Sequence, residues 1–193
     1  MKFIRILLST FMLNAFVFAQ PHDGRWWQIV RRDQRSEYLN GYMDCAIYDG
    51  GRRDLPSVGT DEIAQAVQTF YDSHPKSLNT PVITILDQVS KQKGMHRKPL
   101  AGGEVWTNKH AYYDGEYWPT SDVERTGFVQ GLRECYAELP SAPHFSKTDE
   151  FYVRSITAWY DNPKHSRRYR KSIAIVLALY ADRSPASARP RAE

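Results

Sequence analysis

Cysteine is scarce in this chain, with two in 193 residues. That excludes a disulfide-dense scaffold and every zinc site built on cysteine pairs. The six histidines, His22, His74, His96, His110, His144 and His165, never fall in a HExxH arrangement. There is no glycine-rich phosphate loop, no GxSxG elbow and no pair of carboxylates at a spacing that defines a glycosidase-like site. No alternating run is long enough to build a sheet. No cofactor and no metal is therefore expected.

One long apolar run is present, and it lies at the start. Lys2 and Arg5 precede the apolar stretch 6–18, and Val17 and Ala19 occupy the small-residue positions before a cleavage point. Residues 1–19 are expected to be a secretory signal peptide, which sends the chain to the periplasm or outside the cell. The formal charge of +4 falls to +2 once Lys2 and Arg5 are removed. The segment 183–193 carries three of the remaining arginines and one glutamate, so the body between the ends is neutral. The pI near 9.0 is a property of the ends, and no nucleic-acid partner is expected. That last segment is rich in Pro, Ser and Ala and is expected to be a disordered basic tail.

The informative feature is an internal repeat. Asp23-Gly24-Arg25-Trp26-Trp27 returns as Asp114-Gly115-Glu116-Tyr117-Trp118. Arg35, Tyr38, Leu39, Asn40, Gly41, Asp44 and Cys45 return as Arg125, Phe128, Val129, Gln130, Gly131, Glu134 and Cys135. Thr60-Asp61-Glu62 returns as Thr148-Asp149-Glu150, and Phe70-Tyr71-Asp72 as Trp159-Tyr160-Asp161, each followed by a proline, Pro75 or Pro163. Each copy reads as three helices. Tyr38, Gly41, Tyr42 and Cys45 share one helical face, as do Phe128, Gly131, Leu132 and Cys135. Glycine inside a helix costs about 1 kcal/mol relative to alanine, so Gly41 and Gly131 point to a close helix–helix approach. The second helices are expected to open on Thr60 and Thr148 as N-caps and to end at His74-Pro75 and Asn162-Pro163. The third carry Val82, Ile85, Leu86 and Val89, or Ile173, Val176, Leu177 and Tyr180, with Thr80-Pro81 opening the first of them.

These readings give an all-α fold: two tandem three-helix repeats packed as one compact domain about a pseudo-twofold axis. The expected divisions are 20–92 for the first repeat, 93–113 for a connecting loop and 114–182 for the second. Cys45 and Cys135 are equivalent, so either they meet as a disulfide or each is a buried thiol. The Asp-Gly segments beside His22 and His110 are read as turns anchored by Trp27 and Trp118, whose rings should be buried against Tyr38 and Phe128. The alternative is a metal or acid–base site. The segment holding Lys164, Arg167, Arg168, Arg170 and Lys171 is read as a solvated turn, with weak contact to an anionic surface as the alternative.

The half-unit resembles the Tai/Rap family of type VI secretion immunity proteins. The likeness rests on Gly41-Tyr42 and Cys45, the threonine-led helix ending Phe70-Tyr71-Asp72-Ser73-His74-Pro75, and the apolar helix after Pro81. It covers about residues 35–90 and 125–181. This chain departs from the family in being duplicated and in keeping one cysteine per half. The resemblance implies a periplasmic, non-enzymatic helical protein that works by binding a protein partner, as those proteins block cell-wall amidase effectors. Two other functions fit the sequence: an envelope enzyme or metal-binding protein using the His-Asp-Gly loops, and an envelope-surface structural protein using the basic segment and tail.

Overall fold

The computed structural model describes residues 21–48, 59–92, 113–140, 143–165 and 171–182. The signal-peptide and basic-tail expectations, the connecting loop apart from Tyr113, and His96, His110, Arg167, Arg168 and Arg170 lie outside the described residues. Seven α-helices appear among the described residues: α1 (Gly24–Ile29), α2 (Arg32–Tyr48), α3 (Thr60–Ser73), α4 (Val82–Gln92), α5 (Asp122–Glu138), α6 (Asp149–Asp161) and α7 (Ile173–Ala178). The described residues contain no strand, only two isolated bridges, Asp23–Pro81 and Asp114–Ser172. The fold is all-α. No described helix is long and apolar enough to cross a membrane.

The most extensive packing in the molecule sets α2 against α5. Both aligned glycines lie in that seam. A Cβ on Gly41 would stand far inside van der Waals contact with the carbonyl oxygen of Phe128, and one on Gly131 would do the same to the carbonyl oxygen of Tyr38. Each of these glycines thus lies against a backbone carbonyl of the opposite helix, three residues before that helix's own glycine. Gly127 adds a third close approach, onto the backbone of Gln34. With hydrogen in place of Cβ, the two backbones come together at a distance no larger residue permits. Four residues after each glycine, Cys45 and Cys135 are joined by a disulfide with Cα atoms 6.1 Å apart. The alternative of two free thiols is thereby removed.

Helices α3 and α4 pack on one side of this seam, α6 and α7 on the other. Their apolar stripes meet in one core containing Ile63, Val67, Leu86, Leu132, Ile156 and Leu177. The anchoring contacts recur in matched form. The Val82 amide donates to the His22 carbonyl at 2.8 Å, and the Ile173 amide donates to the Tyr113 carbonyl at 2.8 Å. The Tyr71 hydroxyl donates to the Thr80 carbonyl at 2.9 Å, and the Tyr160 hydroxyl to the Lys171 carbonyl at 2.8 Å. The Arg35 guanidinium lies 5.5 Å from the Trp27 ring, and that of Arg125 lies 5.8 Å from Trp118.

Several local expectations need correction. The first Asp-Gly segment is more than a turn. Asp23 accepts from the amides of Arg25 and Trp26 and so caps α1, a short helix absent from the three-helix reading. The second Asp-Gly segment is a turn, held by Asp114 accepting from the Glu116 amide. Thr148 caps α6 as expected, by accepting from the Phe151 amide. Thr60 does not cap α3: Gly59 holds that position, and Thr60 is the first helical residue. For α4 the first carbonyl comes from Pro81, which accepts from Ile85, and not from Thr80. Helix α7 stops at Ala178, leaving Tyr180 in a turn. Helix α5 opens on a capping box in which Ser121 and Glu124 satisfy each other's backbone amides.

Both tryptophans are in the core, Trp27 with no exposure and Trp118 with 9%. Trp118 packs edge-on to Phe128 at 6.5 Å, and its indole N–H donates to Thr157 Oγ1 at 3.0 Å. In the first half the tryptophan packed on Tyr38 is Trp26, at 5.0 Å, while Trp27 is fully buried with the Arg35 guanidinium 5.5 Å from its ring. Trp118→Ala removes a buried ring and is expected to cost about 3–5 kcal/mol in urea unfolding. A loss below about 1 kcal/mol would show that the ring serves recognition and does not support the core.

Candidate functional site

The described histidines make the following contacts. His22 Nδ1 lies 2.7 Å from Glu134 Oε2, and the His22 amide donates to the same oxygen at 3.2 Å. The imidazole is further walled by Trp26 at 4.2 Å and Tyr38 at 5.3 Å. This ties the entrance loop of the first half to α5 of the second. Burial pushes Tyr71 well above the usual tyrosine range, with Asp23 and Glu134 adding to it; burial pushes Tyr160 up likewise, with Asp114 and Asp44 adding. The observed contact of this kind is the one from Glu134 of α5 to His22.

The remaining described histidines are also engaged. His74 stacks on Phe70 with Nδ1 2.9 Å from that residue's carbonyl, and His165 stacks on Trp159 with Nδ1 2.7 Å from the Trp159 carbonyl. His144 pairs with Asp182 at 2.7 Å. Among the described residues no group of three or more His, Cys, Asp or Glu could hold a metal ion. Of the basic segment, Lys164 is exposed and Lys171 places its ammonium 5.6 Å from the Trp159 ring, so the described part does not converge on a common point.

What the fold does assemble is a charged groove of about 580 Å³ at the end of the α2–α5 seam, lined by Arg31, Arg32, Asp33, Ser36, Glu37, Asp61 and Glu124. Its upper wall is exposed. Arg31 pairs with Asp33, and Arg32 reaches Asp61 at 3.9 Å, while Ser36 donates to Asp61 at 2.8 Å. Its floor is Glu37, whose carboxylate accepts from the Tyr117 hydroxyl at 2.8 and 2.9 Å. Asn40 Nδ2 stands 2.6 Å from the same hydroxyl, and Tyr113 donates to Asn40 Oδ1 at 3.2 Å. Burial raises the Glu37 pKa above its usual 4.5, and the nearby Glu124 charge raises it further, against the hydrogen bonds from Tyr117 and Asn40.

A carboxyl with a raised folded-state pKa binds its proton more tightly in the fold than in the unfolded chain. Its contribution thus favours folding at low pH and is lost as the pH rises through the folded value. Glu37→Gln keeps an acceptor for Tyr117 and removes the buried charge. It is expected to raise the unfolding temperature at about pH 7, with the gain disappearing toward about pH 4, where Glu37 is itself neutral. A lower unfolding temperature at neutral pH would show instead that the charge is held by Arg31 or Arg32.

None of these groove residues is a site candidate in the sequence; Asp61 stands out there only as part of the repeated block Thr60-Asp61-Glu62. Glu37 stands opposite Gly127 in the repeat, so the equivalence that marks structural positions passes over it. The run Arg31-Arg32-Asp33 was the available signal, a charge cluster at a helix start. The chain matches no family model, no curated protein and no solved structure.

Proposed function

We propose that this chain is an exported, non-enzymatic binding protein made of two duplicated helical units about a pseudo-twofold axis, and that it engages a protein partner in the cell envelope. Four matched features support the duplication: reciprocal glycine contacts, equivalent cysteines, paired loop-to-helix hydrogen bonds and paired Arg–Trp contacts. The disulfide is consistent with an oxidising compartment, and so with export to the periplasm or beyond.

The observation that carries the binding reading is the placement of the charged groove. Its walls come from α2 and α3 of one half and α5 of the other, next to the tightest packing in the fold. A surface held that rigidly loses little conformational freedom on association. Its alternating arginines and carboxylates suit a partner of complementary charge, which governs specificity and encounter rate. An immunity-like role, in which the partner is a cell-wall amidase, is the form of this reading that the Tai/Rap resemblance favours.

The test is co-purification from the envelope of the parent cell, followed by binding of the two purified components. The double variant Arg32→Glu/Asp61→Arg reverses both exposed charges without touching the core. It should lose the partner while unfolding at the parent temperature. Equal retention of the partner by that variant would place the interface elsewhere, and turnover of an envelope substrate by the protein alone would contradict the non-enzymatic reading.

A further inference from the structure

The two halves differ at one place where the first half shows what belongs there. In the first half, Gln28 at the end of α1 lies across the outer face of α3. Its carboxamide N–H donates to Asp72 at 3.1 Å, and its carboxamide oxygen accepts from Gln68 at 3.3 Å. Its backbone carbonyl accepts from Arg35 at 3.4 Å. In the second half the corresponding backbone carbonyl is present: that of Pro119, which accepts from Arg125 at 2.7 Å. The carboxamide is missing, because proline stands where Gln28 would.

The receiving groups remain. Thr157 and Asp161 on α6 take the places of Gln68 and Asp72 on α3, again four residues apart and on one helical face. They lie in an open groove of about 570 Å³ between α5 and α6. Thr157 already accepts from the Trp118 indole, so its own hydroxyl hydrogen is left to donate. Asp161 is exposed and has no hydrogen bond or ion pair to any described residue. The groove thus offers one donor and one anionic acceptor at the two helix positions that hold a carboxamide in the first half.

The geometry points to Thr157 and Asp161 as a recognition subsite for a primary carboxamide, filled by a glutamine or asparagine side chain on a loop of the partner protein. The assignment rests on the duplication and binding readings above. The partner's amide N–H donates to the Asp161 carboxylate and its amide oxygen accepts from the Thr157 hydroxyl, repeating what Gln28 does within the chain. A carboxylate of the same length is rejected, since it brings a second negative charge to Asp161 and has no N–H to give.

The probe is N-acetyl-L-glutamine N-methylamide, whose only primary carboxamide is the side chain's, titrated into the full-length mature protein with backbone amide NMR as the readout. Saturable shifts are expected at Thr157 and Asp161 with a dissociation constant on the order of millimolar. N-acetyl-L-glutamate N-methylamide, which has no primary carboxamide, should bind at least about tenfold more weakly, and Asp161→Ala should weaken the glutamine probe by a similar factor. Absence of saturable shifts at residues 157–161, or equal response to both probes, overturns the subsite. Gln28→Ala separates this outcome from a failure of the duplication, because it vacates the matching place on α3. If the probe then moves Gln68 and Asp72 but never Thr157 and Asp161, the equivalence of the halves stands and the subsite fails. If it moves Thr157 and Asp161 only, the subsite stands and the equivalence is weakened. Retention of the co-purified partner should fall in Asp161→Ala and under competition by the glutamine probe; unchanged retention overturns the assignment of the subsite to that partner.

Discussion

Gly131→Leu is expected to abolish the native packing of α2 on α5, and Gly131→Ala to cost on the order of 3 kcal/mol or more. Overpacking a core usually costs about 1–3 kcal/mol because neighbouring side chains shift to make room. At Gly131 that route is closed. The first atoms an added Cβ would meet are the Tyr38 carbonyl oxygen and, at 2.7 Å, the Tyr42 amide nitrogen, both backbone atoms of a regular helix. Relief requires moving α2 as a whole, and the Cys45–Cys135 bond four residues further on resists that motion. Gly41→Ala should cost a similar amount, since it drives the same atom type into the Phe128 carbonyl. Urea unfolding of the alanine variants measures both. A Gly131→Ala variant as stable as the parent would mean that the helices are further apart than described.

Removing the disulfide has the second large effect. Cys45 and Cys135 are 90 residues apart in sequence, so the bond closes a long loop in the unfolded chain. Loss of such a cross-link typically costs about 2–5 kcal/mol, with the longer loops toward the upper end in the chain-entropy account. Cys45→Ser/Cys135→Ser is therefore expected to lower stability by about 4 kcal/mol while retaining the helical spectrum, because the glycine seam persists without the bond. The same loss should follow reduction of the parent protein. A variant with unchanged unfolding in urea would show that the bond is peripheral to the core.

Much of this fold is legible in the sequence because its determinants are local or repeated. The apolar spacing of Ile63, Val67 and Tyr71 marks a helix on its own, and the second copy repeats it with Tyr152, Ile156 and Tyr160. Gly41 and Gly131 announce a close approach since glycine has no reason to recur in the middle of a helix otherwise. The capping box Ser121–Glu124 is an equally local signal, a serine followed three residues later by a glutamate. Helix α1 was missed for a different reason. Its six residues carry no apolar period, and only the Asp23 cap and the packing of Trp27 make it a helix.

The candidate site was barely legible, again for physical reasons. His22 finds Glu134 across 112 residues, and Tyr117 finds Glu37 across 80. Such pairs are set by how α2 and α5 cross, which no window of sequence contains. The groove falls where the copies diverge, at Glu37 against Gly127, and the carboxamide subsite at Gln28 against Pro119. Repetition reveals what both halves need for folding and is silent about what only one of them has.

The binding reading depends on the two halves behaving as one rigid body across the α2–α5 seam. Native-state hydrogen exchange of the disulfide-bonded protein tests this most directly. The most protected amides of α3 and α4, and those of α6 and α7, should all exchange at the free energy of global unfolding, together with the centres of α2 and α5. Exchange of α6 and α7 through an opening that leaves α3 and α4 protected would contradict the account, since the halves would then be separate units joined by a bond.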